Sequence, residues 1–306
     1  MYEVYRNPVI SSLGQTRGTG WLPPVPDLRD YGVADAHVEK KMKAFGLSPR
    51  KAGDPALPSK VDLREWCSPI EDQGQLGSCT ANAAVAIIEY FQRRAYKKHI
   101  DGSRLFIYKC TRSLMGTTGD SGAWLRDTMS AIALCGVAPE SRWPYTDQAP
   151  DFDREIPAFL YAIADNYEAL EYIRHDPSQA NLSGEDVLQS IKKYIAGGIP
   201  SMFGFWGFDS FDNSSVRGGI PFPGSEERAK WGHAIAAVGY DDDLRIKNTR
   251  YNIETVGALL IRNSWGTGWG DRGYGWMPYE YVRSELALDF WSLISMEWLD
   301  TDQFGL

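Results

Sequence analysis

The pattern of apolar residues changes near Pro200, and this change narrows the choice of fold more than any other feature of the sequence. Between about residues 61 and 175, apolar positions recur at three- and four-residue spacing, which is typical of helices packed on one face. Within residues 176–306, and most clearly after Pro200, short apolar or alternating runs are separated by Gly, Asp and Asn, which predicts strands. A helical half followed by a β-rich half predicts an α+β protein of two lobes with a cleft between them.

Three helices and three strands stand out in this pattern. The clearest helix is predicted to begin near Ser78, where apolar residues form one stripe along the following turns. Gly and Pro residues mark the ends of the other two helices. Those helices are Trp124–Leu134 and Glu185–Ile195, the latter capped by Ser183, and the predicted strands are Ala234–Tyr240, Ala258–Ile261 and Trp291–Trp298.

The first part of the chain, residues 1–57, is predicted to be an N-terminal extension distinct from the rest. Prolines are frequent between Gly20 and Asp27 and favour extended backbone over helix. A short helix is expected at Asp35–Phe45, and residues 48–60 read as a linker because they hold three prolines. The two lobes together are then expected to form one domain over residues 58–306.

Charge and hydropathy argue against several functions. The 306-residue chain has a formal net charge of −8 and no run of Lys or Arg, so no nucleic-acid partner is expected. Its apolar stretches, such as Ala83–Ile88, are too short to span a bilayer, so no membrane partner is expected. Met1–Gln15 lacks the basic start and apolar block of a secretory signal, which favours a cytoplasmic protein. A monomer is the default expectation.

The four cysteines form neither a metal-binding pattern nor a dense disulfide pattern. None belongs to a C-x-x-C motif, so no structural zinc site, and no other metal or cofactor, is expected. If Cys79 stays a free thiol, the remaining Cys67, Cys110 and Cys135 allow at most one disulfide.

Cys79 lies at the predicted start of the strongest helix, directly after a loop rich in Gln, Gly and Ser. The positive end of a helix favours a thiolate, which is the reactive form of a side chain that otherwise titrates near ~8.5. Taken alone, however, a cysteine is more often a small buried core residue. The interpretation of Cys79 as a nucleophile therefore depends on its partners.

His233 and Asn263 are the candidate partners. His233 begins an apolar run, whereas the other three histidines lie in charged segments and are predicted to face solvent. Asn263 opens a stretch in which Trp and Gly residues dominate from Trp265 to Gly270, which is unusual for an ordinary loop. An Asn amide shielded by an indole can orient a His ring, as the third member of a catalytic triad does.

These segments resemble the papain family of cysteine peptidases over about residues 58–280. The chain keeps the family's order of Gln, Cys, His and Asn, and the Asn-Ser-Trp-Gly-x-x-Trp-Gly run is the most specific match. The resemblance implies that Cys79 attacks the scissile carbonyl, that His233 pairs with it and protonates the leaving amine, and that Asn263 orients His233. It also implies that the Gln73 side chain and the Cys79 backbone N–H form an oxyanion hole.

The resemblance further implies a papain-like fold with a helical lobe and a β-barrel-like lobe. It places Phe203 and Ala234 in the pocket for the second residue before the cut, so an apolar side chain is expected there. Trp265 is also counted among the residues that contact substrate. The predicted His and Asn are farther apart than is usual in the family, and Asp241–Thr255 is expected to form an extended hairpin.

The sequence departs from the family pattern at a disulfide. The family often joins a Cys three residues before the nucleophile to one just before a Gly-Gly substrate strip, and here Leu76 and Gly119 occupy those positions. Both halves of the bridge are absent together, which fits a reducing compartment. Ser121 and Gly122 are expected to be the strip that pairs with substrate backbone, with Ser121 replacing one glycine.

Three functions stay open on these grounds. The leading one is an endopeptidase acting on peptides or proteins. An exopeptidase needs an element that blocks one end of the cleft, and a non-catalytic peptide-binding homologue normally lacks the nucleophile or the His. Residues 1–57 fit two roles equally well: a propeptide that covers the cleft with Gly20–Asp27 and is cut within 48–60, or a permanent strap on the surface.

Overall fold

The computed structural model describes residues 7–10, 14–27, 30–44, 56–164 and 169–296. The helices within these ranges are α1 (Ala36–Ala44), α2 (Cys79–Tyr96), α3 (Arg104–Leu114), α4 (Leu125–Cys135), α5 (Ala158–Ala164), α6 (Gly184–Ala196) and α7 (Tyr279–Arg283). The strands are β1 (Val9–Ile10), β2 (Thr16–Arg17), β3 (Lys60–Asp62), β4 (Ala169–Arg174), β5 (Ser201–Gly207), β6 (Trp231–Asn248), β7 (Ile253–Arg262), β8 (Tyr274–Pro278) and β9 (Ala287–Met296). The chain thus has the predicted mixture of helices and strands.

Helix α2 is the centre of the first lobe. Every residue from Cys79 to Phe91 is buried, because α3 and α4 pack on one side of the helix and β6 on another. The sequence pattern predicted burial of one face, and the structure shows a helix that is enclosed. The helix ends at Lys97, which has the left-handed backbone conformation common at helix ends (φ 60°).

Helix α3 was not predicted, although it packs against both α2 and α4. It begins after Ser103, whose hydroxyl accepts a hydrogen bond from the Phe106 N–H at 3.1 Å, as an N-cap does. Its buried face includes Lys109 and Arg112, which both form ion pairs with Asp153. Because charged residues interrupt the apolar stripe, the helical pattern is hidden in the sequence.

The second lobe is built on a seven-stranded sheet with the order β4-β9-β5-β6-β7-β8, and β3 pairs with β6. The sheet is open and not barrel-like, because its end strands β4 and β8 do not pair with each other among the described residues. Strand β8 leads directly into α7, and β9 is the strand of the sheet that pairs with β4. The two-lobe layout is confirmed.

The longest strands, β6 and β7, form the extended hairpin predicted at Asp241–Thr255. Their antiparallel register continues to the pair Asn248 and Ile253 at the tip. The buried Asn248 amide donates hydrogen bonds to the Ser210 hydroxyl and the Phe222 carbonyl, both at 2.9 Å. The tip therefore holds the long connection between β5 and β6.

The predicted helices agree with the observed ones to within about one or two residues, the usual uncertainty of element ends. The observed strands are longer than predicted, and β6 continues to Asn248, beyond the predicted end at Tyr240. Helices α1, α2, α4 and α6 match the four predicted helices, and Ser183 and Asp186 form a capping box at α6. Strands β6, β7 and β9 match the predicted strands, except that the end of Trp291–Trp298 lies outside the described residues. Strand β4 was missed because its partner β9 is distant in sequence and leaves no local signal.

The lobes meet where α2 packs against β6, and an extended segment lies between them. We call this segment, residues 14–27, the cleft segment. After it, the chain pairs at Gly32 with Arg174 and continues into α1, whose Lys41 forms an ion pair with Glu171. No helix of the described residues is long and apolar enough to cross a membrane.

Candidate active site

Cys79 is the first residue of α2 and is completely buried. Its sulfur accepts a hydrogen bond from the backbone N–H of Ala234, the residue after His233, so the cysteine and the histidine belong to one site across the cleft. Burial raises the pKa of the Cys79 thiol to about 12, and the nearby Asp120 charge acts in the same direction. With the cleft segment in place, the cysteine is a neutral thiol, and not the thiolate that its helix position favours.

His233 lies near the start of β6 and is held by two contacts. Its Nε2 lies 2.8 Å from the Asn263 side-chain oxygen, and its ring stacks on Trp265 at a centroid distance of 4.6 Å. Because an amide oxygen only accepts hydrogen bonds, Nε2 carries the proton and Nδ1 carries a lone pair. Burial lowers the pKa of His233 to about 4, so the ring is neutral.

The second ring nitrogen of His233 has no hydrogen-bond partner among the described residues, although it is buried. A neutral imidazole with a free Nδ1 lone pair is prepared to accept a proton. Asn263 is fixed in turn, because its backbone N–H donates to the Gly273 carbonyl and its side-chain oxygen also accepts the Ser264 N–H. The predicted orienting role of Asn263 is consistent with these contacts.

Gln73 is fully buried beside the same site. Its side-chain N–H₂ donates to the Leu76 carbonyl at 2.9 Å and to the Gly18 carbonyl at 3.2 Å. Its side-chain oxygen accepts the Ser264 hydroxyl, which fixes the orientation of the amide. The donor that the family resemblance predicts for an oxyanion hole therefore contacts a peptide carbonyl of the cleft segment.

The cleft segment pairs with the predicted substrate strip. The Ala123 N–H donates to the Gly20 carbonyl at 2.8 Å, and the Leu22 N–H donates to the Ala123 carbonyl at 3.0 Å, in a parallel arrangement. The residue that pairs is thus Ala123, and the predicted Ser121 and Gly122 come just before it. Gly122 has φ +68°, and a Cβ there would lie 2.5 Å from the Gly20 carbonyl oxygen, so glycine is required.

Trp21 fills a pocket on the other wall of the cleft and has no exposed surface. Its ring lies edge-on to Trp206 at 4.7 Å and rests on Gly204, where a Cβ would come within 1.8 Å of the indole. The indole N–H donates to the Asp289 carboxylate at 3.2 Å. The pocket thus combines aromatic packing with one buried hydrogen-bond acceptor.

The structure places the two predicted pocket residues differently. Ala234 belongs to the same apolar cluster as Trp21. Phe203 is on the opposite face of β5, where it stacks on Phe290 at 4.5 Å. Because successive strand residues face opposite sides, Gly204 lies against Trp21 in its place.

A sequence model of the papain family cysteine proteases matches residues 57–287. The chain belongs to this family. It is 33% identical over 286 residues to a peptidase C1-like protein of Acanthamoeba polyphaga mimivirus, covering 90% of this chain and 86% of that one. The structure of xylellain, a cysteine protease from Xylella fastidiosa, matches with 34% identity and a TM-score of 0.70 over 91% of this chain and 96% of that one.

The family fold is also shared with a precursor protein. The digestive procathepsin L 3 of Tenebrio molitor matches with a TM-score of 0.55 at 21% identity, covering 82% of this chain and 78% of that one. Papain-family proteases hydrolyse peptide bonds, so this chain is a cysteine peptidase whose substrates are peptides or proteins.

In this papain-family chain, one network of ion pairs connects Asp27 and Asp30 to Arg126 and Arg174. The buried Asp30 carboxylate pairs with Arg126 and Arg174, and Asp27 pairs with Arg126 at 2.9 Å. Arg174 also reaches Asp289 at 3.6 Å, yet burial raises the pKa of Asp289 to about 6. Sequence reasoning missed these residues, because Asp30 is 96 positions from Arg126 and 144 positions from Arg174.

One histidine prediction was wrong. His175 was expected to face solvent, but it is completely buried and its two ring nitrogens lie within 2.9 Å of the hydroxyls of Ser190 and Ser292. Burial lowers its pKa to about 3, so it is a neutral structural residue. The described residues hold no group of three or more His, Cys, Asp or Glu side chains that could bind a metal ion.

Proposed function

We propose that this protein is a cysteine endopeptidase that is made in an inhibited form, with Cys79 as nucleophile and the cleft segment as inhibitor. The observation that supports it is the position of the Gly18 carbonyl. It accepts hydrogen bonds from the Gln73 amide and from the Trp265 indole, both at 3.2 Å. A peptide carbonyl in this position mimics the one that Cys79 would attack.

The proposed reaction starts when the cleft segment leaves and water reaches the site. The Cys79 thiol then transfers its proton to Nδ1 of His233, and the thiolate attacks the substrate carbonyl carbon. The Gln73 side chain and the Cys79 backbone N–H stabilise the oxyanion. His233 protonates the departing amine, and a water molecule, deprotonated by His233, releases the acyl group. Asn263 keeps the imidazole aligned throughout.

The closed form is inactive in this proposal for two reasons. Burial keeps both Cys79 and His233 neutral, so no ion pair is formed. The cleft segment also fits too tightly for any side chain at two positions: a Cβ on Gly18 would lie 2.4 Å from the Leu76 carbonyl oxygen, and one on Gly20 would lie 2.3 Å from that of Gly77. The segment runs parallel to Ala123, which is consistent with the backwards path of propeptides in this family.

The proposed boundary of the inhibitory extension lies before Pro58. From there on the chain is attached to the sheet: the Pro58 carbonyl accepts the Tyr240 hydroxyl at 2.9 Å, and the Ser59 carbonyl accepts the Asp242 N–H at 2.8 Å. Cleavage between α1 and Pro58 would free the cleft segment and leave these contacts intact. The predicted linker, 48–60, lies partly outside the described residues.

An endopeptidase is favoured over an exopeptidase because the cleft continues on both sides of Cys79. A cavity of about 360 Å³ lies beside Arg17 and Trp269 at one end, and a cavity of about 210 Å³ lies beside Pro24 and Arg126 at the other. The cleft segment itself passes through both regions. A continuous peptide can therefore occupy the cleft with residues on either side of the scissile bond.

The proposal is tested by incubating the full-length protein in mild acid with a reductant. We expect intact mass to show loss of an N-terminal fragment ending before Pro58, together with hydrolysis of an internally quenched peptide. The Cys79→Ala variant should show neither. Retention of the full mass with no hydrolysis at any pH would contradict the inhibited-peptidase proposal.

We also expect acid to open the cleft before any cleavage. In the closed form the pKa of His233 is about 4, well below the ordinary value of 6.5, so the open form binds more protons between these values. The lowered pKa of His233 therefore stabilises the closed form relative to the open form above pH 6.5. This stabilisation, about 3 kcal/mol, is lost as the pH falls toward 4. Asp289 acts in the opposite direction if opening lowers its raised pKa.

Hydrogen exchange of the cleft segment measures this opening in Cys79→Ala protein, which cannot process itself. After correction for intrinsic exchange, protection of residues 15–27 should fall between pH 6.5 and 4. The Asp289→Asn variant, which lacks the opposing carboxylate, should show a steeper fall. Protection that is constant over this pH range in both proteins would refute the role of His233 in opening.

A further inference from the structure

The Asp120 side chain connects the nucleophile loop to the substrate strip. Its carboxylate accepts the backbone N–H of Gly77, with oxygen distances of 3.0 and 3.2 Å. Gly77 is two residues before Cys79, and a Cβ on Gly77 would lie 2.8 Å from the Asp120 oxygen. The contact is therefore close and involves the loop that carries the nucleophile.

Tyr108 extends this connection to the strip. Its hydroxyl donates to the Asp120 carboxylate at 2.6 Å and accepts the Gly122 N–H at 3.0 Å. The result is a continuous chain of hydrogen bonds from Gly77 through Asp120 and Tyr108 to Gly122. Because Gly122 precedes the residue that pairs with the cleft segment, the chain joins the two loops that a substrate would contact.

The surroundings of Tyr108 hold this chain in place. Tyr108 is buried in α3, and the Arg112 guanidinium stacks over its ring at 4.2 Å. Arg112 also donates to the Gly119 carbonyl, and Asp153 accepts the Gly119 N–H at 2.7 Å. Among the charged and titratable groups here, Tyr108 contacts Asp120, and Arg112 stacks on Tyr108. Burial, and to a smaller extent the Asp120 charge, raise the pKa of Tyr145. His233 is the titratable group that faces Cys79 across the cleft.

We propose that Asp120 is a positioning residue, which fixes the Cys79 loop against the substrate strip through Gly77 and Tyr108. This inference rests on the proposed peptidase function of the same site. In the papain family a disulfide often joins these two loops. Leu76 and Gly119 occupy its two positions here, so no covalent bond can connect the loops there. The hydrogen-bond chain through Asp120 connects the same two loops without one.

A carboxylate differs from a covalent bridge in its charge. The Asp120 charge opposes formation of the Cys79 thiolate, and no disulfide would do so. Positioning by Asp120 therefore has two separable consequences. Loss of the side chain loosens the loop, whereas loss of the charge alone makes the thiolate easier to form.

The first experiment measures the hydrogen-exchange rate of the Cys79 loop in the full-length chain. Asp120→Ala and Tyr108→Phe should each raise the exchange rate of the peptide containing residues 74–79 by about tenfold, because the hydrogen bond from the Gly77 N–H to Asp120 protects this loop. Asp151→Asn is the matched control: it removes one negative charge from an exposed position and should leave the rate unchanged. Unchanged exchange in both test variants would overturn the proposal.

The second experiment measures how the Asp120 charge affects formation of the Cys79 thiolate. It uses the full-length Trp21→Ala variant, in which the cleft is expected to be open. The pH dependence of Cys79 alkylation by iodoacetamide reports thiolate formation. Asp120→Asn keeps an acceptor oxygen but removes the charge. The pH at which alkylation reaches half its maximal rate should therefore fall by about 0.5 to 1 pH unit relative to Asp151→Asn. A half-maximal pH equal to that of the control would overturn the proposal, since a merely structural residue would not shift it.

Hydrolysis of a peptide by the same variants separates the two proposals. Asp120→Ala should lower kcat by about tenfold with KM within about twofold, since it misplaces the nucleophile and leaves Tyr108 on the strip. If exchange and alkylation change as stated but no protein hydrolyses peptide, positioning by Asp120 stands and the peptidase proposal falls. If hydrolysis occurs and kcat is unaffected in Asp120→Ala, the positioning role is refuted.

Discussion

Replacing Trp21 with alanine in the full-length protein is expected to raise the rate of Cys79 alkylation at pH 7 by about 100- to 4,000-fold. The Trp21 side chain is completely buried against Gly204 and Trp206. Truncating a buried Trp typically costs about 3 to 5 kcal/mol, and each 1.4 kcal/mol is a factor of ten in an equilibrium. Because only the open form exposes the thiol, the rate follows the open population.

Val25→Ala is the matched control for this prediction. Val25 belongs to the same cleft segment, but its side chain is 55% exposed, so its truncation should change the rate by less than about twofold. Intrinsic tryptophan fluorescence and the thermal midpoint of each full-length variant show whether the fold is intact. Equal alkylation rates in Trp21→Ala, Val25→Ala and wild type would show that Trp21 does not control access to Cys79.

The residues of the catalytic proposal could be predicted because each has a local sequence signal. Cys79 follows a glycine-rich loop and begins an apolar stripe, and Asn263 opens a run of Trp and Gly that has few alternative explanations. The structure brings Cys79, His233, Asn263 and Gln73 to one place, as the resemblance implied. Their chemical roles remain proposals that the variants above test.

The path of the N-terminal extension was only partly predictable. Prolines and glycines indicate extended backbone between Gly20 and Asp27, and the structure places this backbone between the lobes. The sequence could not distinguish cleft from surface, because the deciding contacts come from Gly232 and Asp289, far along the chain. Nothing near Trp21 in the sequence identifies its pocket.

The pocket residues show a second limit of prediction from sequence: which face of a strand a residue lies on. Phe203 and Gly204 are neighbours on β5, and a shift of one residue exchanges the two faces of a strand. An apolar residue was expected beside the pocket, but the face that contacts Trp21 needs a glycine, since any side chain would overlap the indole. The large aromatic residue lies on the other face and packs in the sheet core.

Asp289 was missed because its role depends on burial. It looks like a surface residue in the sequence, yet it is 1% exposed and accepts hydrogen bonds from the indoles of Trp21 and Trp291. A buried carboxylate is tolerated only when donors surround it. Those donors come from separate elements, so only the fold reveals them.

Gln73→Ala is expected to lower kcat for peptide hydrolysis by about 100- to 1,000-fold, the effect typical of losing one oxyanion donor. We would measure it in the Trp21→Ala background, where the cleft is open. Alkylation of Cys79 by iodoacetamide should change by less than about threefold, because that reaction forms no oxyanion. The two readouts together separate stabilisation of the transition state from access to the thiol.

Two further variants make this prediction decisive. Gln75→Ala changes an exposed glutamine of the same loop and should leave kcat within about twofold. Gln73→Glu retains an acceptor for the Ser264 hydroxyl but replaces the N–H₂ donor with a carboxylate oxygen, so it should lose activity without the cost of an unpaired buried hydroxyl. The contrary outcome is that both Gln73 variants hydrolyse peptide as fast as Gln75→Ala. In that outcome the contact between Gln73 and the Gly18 carbonyl only keeps the cleft closed, and the oxyanion donor must be another group.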